Sequence, residues 1–199
     1  MKYDILFAGV GGQGVLSMAA IIGRAAIGEG LSGKQSEVHG MAQRGGAVQA
    51  HLRLSDGAIE SDLIPLAGAD LILSLEPLEA LRHLAQLSPG GTLVTSSSPF
   101  LNIPDYPDPA EVLRRVRALP HAVVVEAERL ADEAGDLLAV NTVMVGAASH
   151  WLPIPPAALE RAVDGHFRRK GELALRVNLD AFRAGRAAVS PGAALAGAS

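Results

Sequence analysis

YDILFAGVGGQGVLSMAAIIGRAAIGEG, residues 3–30, decides the fold. Tyr3 to Ala8 is short, apolar and β-friendly, as a buried strand of a parallel sheet must be. Gly9-Val10-Gly11-Gly12-Gln13-Gly14 follows. Val15 to Glu29 then reads as a helix. Val15, Ala19, Ile22 and Ala26 fall on one stripe, Leu16, Ile21 and Ile27 widen it, and Gly30 is the stop. Strand, glycine turn and helix together fit G-x-G-x-x-G through Gly9, Gly11 and Gly14. Small residues let the backbone turn tightly, and a helix amino terminus offers N–H groups and partial positive charge to an anion. Two readings stay open: the glycines only pack the helix onto the sheet, or they seat a phosphate-bearing ligand or a partner's loop. A dinucleotide site adds an acid about 20 residues on, at the end of the second strand. Glu37 is near that place, but it leads into another glycine-rich stretch instead of an ordinary crossover helix.

That stretch is SEVHGMAQRGGAV, residues 36–48. Glu37, His39, Gln43 and Arg44 fall close together there, with Gly40, Gly45 and Gly46 among them. Each glycine costs about 1 kcal/mol against alanine in a helix interior. No apolar–polar alternation starts before Ala47, so Ser36 to Gly46 reads as a loop. Loops that gather polar groups on a rigid scaffold are where function concentrates. His39 is the titratable candidate, either at the chemistry or behind it. The planar fork of Arg44 suits a phosphate or carboxylate, or it bridges to Glu37 within the loop.

The rest alternates strands and helices. Ala47 to Ser55 alternates well, placing His51 on the outward face. Asp56-Gly57 signals a hairpin, with Ala58 to Ile64 returning antiparallel. Ala69 to Leu75 reads as a buried strand, and Pro77 opens a helix to Gln86. Pro89-Gly90-Gly91 reads as a turn before a strand from Thr92 to Ser97. Ser96 to Pro109 reads as irregular, then come a helix to Leu119, a strand from Ala122 to Glu126 and a helix from Ala127 to Ala134. Further helices are expected over Asn141 to Trp151, Ala157 to Phe167 and Glu172 to Ala184. The fold class is therefore α/β: a three-layer α/β/α Rossmann-like domain with a mixed, mostly parallel sheet. Its ligand edge lies at the carboxyl ends of the parallel strands, where the glycine loop and Glu76 fall. One domain over residues 1–186 is expected, with 187–199 a frayed Ala/Gly/Ser/Pro tail.

Hydrophobic residues make up 49 % and charged residues 19 %, enough apolar material for a real core. Net charge is −4 with no basic block, which disfavours nucleic acid and anionic membrane as partners. There is no cysteine, so neither a disulfide nor a cysteine-ligated iron–sulfur cluster resides on this chain. The amino terminus lacks the h-region of a signal peptide and no uninterrupted apolar run of about 18 residues occurs, so a soluble cytoplasmic protein is expected. The scattered His83, His121, His150 and His166 have no ligand spacing, and no metal is expected. No nucleophile elbow, P-loop lysine or metal-binding helix motif occurs, so the chain is not expected to run a reaction unaided.

GVGGQGV (9–15), SEVHGMAQRGGAV (36–48), SDLIP (61–65), ADLILSLEPLEALR (69–82) and NTVMVGA (141–147) occur in that order. Together they resemble the gamma-type subunits of the 2-oxoacid:ferredoxin oxidoreductases, and among those the beta subunits of the indolepyruvate enzymes. The likeness runs over about residues 3 to 185. It implies a subunit inactive alone, working in oxidative decarboxylation of an aryl 2-oxoacid to an acyl-CoA. It implies a larger alpha subunit carrying thiamine diphosphate and [4Fe–4S] clusters, ferredoxin reached through the complex, and coenzyme A as co-substrate. No cofactor is implied on this chain. Its Gly135-Asp136 pair ahead of Asn141 lacks the following glycine and the spacing of a thiamine diphosphate motif. The resemblance further implies that Gly9, Gly11, Gly12, Gln13 and Gly14, with Glu37, His39, Gln43, Arg44, Gly45 and Gly46, and with Asn141, face the partner's cofactor or coenzyme A. Two other readings stand beside it: a free-standing dinucleotide-binding module, and the corresponding subunit of a pyruvate or 2-oxoisovalerate enzyme.

Overall fold

The computed structural model describes residues 1–39, 45–101 and 103–190. In chain order the elements are β1 (Lys2–Val10), α1 (Val15–Gly28), β2 (Ser32–His39), β3 (Ala47–Ser55), β4 (Ala69–Ser74), α2 (Pro77–Arg82), β5 (Leu87–Ser96), α3 (Pro109–Arg117), β6 (Ala122–Val125), α4 (Ala127–Ala134), α5 (Val140–Ala148), α6 (Pro156–Phe167) and α7 (Glu172–Ala187). Among the described residues the strands form one sheet, ordered β2-β3-β1-β4-β5-β6. β1, β4, β5 and β6 run parallel, and β3 runs antiparallel to both β1 and β2.

Strand alternation sorts the core into two layers. Ile5 and Phe7 of β1, Leu71 and Leu73 of β4 and Leu52 and Leu54 of β3 face α1 and α4 to α7. Leu6, Ala8, Ile72 and Leu93 face α2, α3 and Ile64. The result is the expected three-layer domain with a mixed, mostly parallel sheet. α1 ends as a Schellman motif: Gly30 takes φ 84°, its N–H bonds the Ile27 carbonyl, and the Leu31 N–H bonds that of Ala26. No helix among the described residues is long and apolar enough to cross a membrane.

Four expectations are corrected. Ser36 to His39 is not loop but the end of β2, paired through His39 to Val48 of β3. β2 is an edge strand with mostly exposed side chains, so nothing forces its residues to alternate. Ala58 to Ile64 is not a strand; the chain crosses irregularly from β3 to β4, and the antiparallel member of the sheet is β3 itself. Pro89-Gly90-Gly91 is not a turn between elements but lies inside β5, where pairing with β4 shifts register. A side chain on Gly91 would come within 2.7 Å of the Ala69 carbonyl oxygen, so the glycine serves a close backbone approach at a bulge. His51, expected outside, is 4 % exposed. The irregular 56–68 connection covers it, and its Nδ1 accepts the Ile64 N–H. Burial lowers its pKa, with Asp62 opposing and Arg53 adding. At the carboxyl terminus α7 runs to Ala187 and Val189 packs into the core, while residues 191–199 lie outside the described residues.

Candidate functional site

β1 delivers Val10 to the carboxyl edge of the sheet, and the glycine loop turns there into α1. Gln13 closes the turn twice: its N–H bonds the Val10 carbonyl, and its side-chain Oε1 accepts the Val10 N–H at 2.7 Å. Gly9 leaves no room for a side chain, since a Cβ would stand 2.8 Å from Val15 Cγ2. Gly12 has φ +102° with open space around it. Gly14 has φ +91°, and a Cβ there would meet Asn141 Nδ2 at 2.7 Å. No side chain caps α1 and no acid occupies its first turn.

The two glycine-rich stretches meet. The Gly11 N–H donates to the Gly46 carbonyl at 2.8 Å, and the Gly45 N–H reaches the Gly11 carbonyl at 3.4 Å. This clasp continues the antiparallel pairing of β1 with β3 beyond Val10 and Ala47. Asn141, 8 % exposed near the start of α5, packs on Gly14 from the other side. Its Oδ1 accepts from the Thr142 hydroxyl, which also donates to Asn178 Oδ1. So Gly9, Gly11, Gly12, Gln13, Gly14, Gly45, Gly46 and Asn141 form one patch. Glu37 stands apart, exposed on β2 with β3 between it and β1. His39 ends β2 beside Val48. Gly40, Gln43 and Arg44 lie outside the described residues.

β1 and β4 run side by side with Ala8 opposite Ser74, and Leu75 touches the space above Gly9. Glu76 follows directly, 1 % exposed, and its side chain caps α2 by accepting the Glu79 N–H at 2.7 Å. The same carboxylate accepts the Tyr106 hydroxyl and the Phe100 N–H. Glu79 is buried as well, paired with Arg82 at 3.0 Å, and burial pushes its carboxyl up, with Arg82 opposing and Glu76 adding. Sequence reasoning noted Glu76 at the edge but not its partners. The Glu-Pro pair after a buried strand signals a helix cap, whereas Tyr106 lies 30 residues on, inside the Pro-rich connection.

Among the described residues no group of three or more His, Asp or Glu side chains is placed to hold a metal ion. The adjacent-strand crevice of a dinucleotide fold is also altered. β3 occupies the place beside β1, so Glu37 sits two strand spacings away, about 9–10 Å. Among the described residues the arrangement offers main-chain groups, one uncapped helix end and a buried amide.

The family model for pyruvate ferredoxin/flavodoxin oxidoreductase matches residues 4–188. The chain is 37 % identical over 162 residues to the indolepyruvate oxidoreductase subunit IorB of Archaeoglobus fulgidus, covering 78 % of this chain and 80 % of that one. It is 36 % identical over 192 residues to the IorB subunit of Methanothermobacter thermautotrophicus, covering 93 % and 96 %. Among solved structures, the gamma subunit of a keto/oxoacid ferredoxin oxidoreductase from Geobacter sulfurreducens superposes with TM-score 0.67 at 26 % identity, covering 93 % of this chain and 96 % of that one.

Proposed function

The chain belongs to the pyruvate ferredoxin/flavodoxin oxidoreductase family, and from that premise we propose that it is the non-cofactor-bearing subunit of an indolepyruvate (aryl 2-oxoacid):ferredoxin oxidoreductase. The observation that carries the reading is the match to IorB subunits along nearly the whole chain. Its larger alpha partner would hold thiamine diphosphate and the [4Fe–4S] clusters, with coenzyme A as acyl acceptor and ferredoxin as electron acceptor, in the cytoplasm. Thiamine diphosphate supplies the decarboxylation chemistry when bound. This chain has no cysteine to ligate a cluster. Its contribution is a wall at the carboxyl edge: the glycine loop clasped to Gly45 and Gly46, backed by Asn141. The clasp supports the reading because it joins the two glycine-rich stretches into one surface through main-chain hydrogen bonds. The free-standing dinucleotide module fits less well, since β3 displaces Glu37 from the crevice beside β1.

Arg44 is the side chain proposed to reach across that wall, in the segment joining β2 to β3. A guanidinium grips a phosphate or carboxylate through two parallel hydrogen bonds, and Arg44→Lys keeps the charge but loses the fork. A charge-assisted hydrogen bond contributes about 1.5–3 kcal/mol, so kcat/KM of the reconstituted complex should fall about tenfold to a hundredfold while assembly is normal. If Arg44 instead bridges to Glu37 on β2, Arg44→Lys and Glu37→Gln should each lower the melting temperature with unchanged kinetics. Steady-state kinetics and melting curves on both variants decide between the two roles.

A further inference from the structure

Glu76, at the carboxyl edge, is held through its whole side chain and main chain. Every polar atom of Glu76 is engaged. Its N–H donates to the Ser74 hydroxyl at 3.2 Å, and its carbonyl accepts that hydroxyl at 2.6 Å and the Ala80 N–H at 3.1 Å. One carboxylate oxygen takes the Glu79 N–H, and the other takes the Tyr106 hydroxyl and the Phe100 N–H. All three donors are uncharged, so among the described residues the buried carboxylate has no directly paired cation. Keeping such a group buried is costly unless every lone pair is used. A shorter side chain would cap α2 equally well. What the glutamate adds is reach: it ties the described parts of the connection from β5 to α3, residues 97–101 and 103–108, to the end of β4. That end is where Leu75 packs over Gly9 and the glycine loop begins.

We propose that Glu76 is a positioning residue, which through Tyr106 and the Phe100 amide holds the described parts of the β5–α3 connection as a strap against the carboxyl end of β4, so that one side of the complex's active region is preorganised. This rests on the reading of the chain as an oxidoreductase subunit. The strap carries Phe100 and Leu101 in the open, 40 % and 68 % exposed, on a backbone pinned from below. Nothing in the helix-capping role of Glu76 requires a strap to be tied there. Misplacement of about 1 Å beside a reacting centre is enough to slow turnover markedly.

Tyr106→Phe keeps the ring and removes the donor; Glu76→Gln keeps the shape and removes the charge. Two readouts are needed. In the chain alone, amide hydrogen exchange should quicken about tenfold at Phe100 in Tyr106→Phe, with the Leu73 amide in β4 unchanged. In the complex assembled with the larger subunit, both variants should lower kcat/KM about tenfold, with the melting temperature of the complex held within about 2 °C. Unchanged exchange at Phe100 overturns the pin. Faster exchange with wild-type kinetics overturns the positioning role, as does a loss of rate that only tracks loss of folded complex. If the wild-type complex itself shows no oxoacid oxidation, the subunit reading falls and the positioning role with it, whatever the exchange data show.

Discussion

Gly185→Ala should cripple folding of this chain. α5 and α7 cross so closely that a Cβ on Gly185 would lie 2.0 Å from the Val143 carbonyl oxygen, and one on Gly146 would lie 2.0 Å from that of Phe182. The obstacle is main chain, so no rotamer change relieves it. The helices must part by more than 1 Å to reach ordinary contact at 3.4 Å. Val143 and Phe182, both fully buried, lose their packing when that happens. Overpacking alone costs about 1–3 kcal/mol and the gaps that open beside it add to that, so at least about 3 kcal/mol is expected. Domains have about 5–15 kcal/mol in hand. At about 2–4 °C per kcal/mol for this size, the melting temperature should fall by about 6–12 °C or the protein should not accumulate in soluble form. Gly28→Ala is the control, since no atom stands within 4 Å of its Cβ position in α1. It should be neutral or gain about 0.5–1 kcal/mol from lower unfolded-state entropy. A Gly185→Ala protein melting within about 2 °C of wild type would contradict the described crossing.

Asp4→Asn should be nearly as damaging, at the opposite edge of the sheet. Asp4 is fully buried and takes a forked pair of bonds from Arg53, Nε at 2.9 Å and Nη2 at 3.1 Å. Arg53 uses its remaining Nη1 to hold the Ser61 and Leu63 carbonyls, so the ion pair anchors the irregular connection that covers His51. Lys2 also reaches Asp4, but it is exposed and adds little. Asparagine keeps the shape and strands a guanidinium only 11 % exposed. Removing one partner of a buried pair costs about 3–5 kcal/mol. Urea unfolding should show the midpoint fall at unchanged slope. Asp4→Leu combined with Arg53→Met should recover part of the loss, because two apolar groups leave no charge behind, while the two loop carbonyls stay unmet. A loss below about 1 kcal/mol in Asp4→Asn would mean the pair is not buried as described.

How far the sequence could be read follows from what each segment buries. α1 was legible because one stripe of it packs on the sheet, and β1 and β4 because both faces are covered. β2 was not: Ser32, Gly33, Lys34 and Gln35 lie exposed on an edge strand, so no pattern is imposed on them. His51 misled because alternation shows which side chains share a face, not whether a distant loop covers that face. The glycine loop was legible from spacing alone. Its clasp to Gly45 and Gly46 was not, since main-chain hydrogen bonds leave no mark on residue type. Asn141 came from family resemblance, and the structure supplies its local reason, the missing side chain on Gly14. The Glu76–Tyr106 link joins residues far apart in the chain, which only the folded sheet brings together.

The proposed role, a chain that completes an oxidoreductase and does not turn over by itself, can be tested directly. The test is to co-express the chain with the proposed larger subunit, a protein with a thiamine diphosphate motif and ferredoxin-type cysteine clusters, purify the pair, and measure indolepyruvate-dependent, coenzyme-A-dependent reduction of ferredoxin or a viologen dye, with each subunit alone as reference. A stable complex and turnover that requires both chains are expected. Failure to associate, together with calorimetric binding of NAD to this chain alone at a dissociation constant of about 1–10 μM, roughly −7 to −8 kcal/mol, would contradict the proposed role and return the free-standing dinucleotide module in its place.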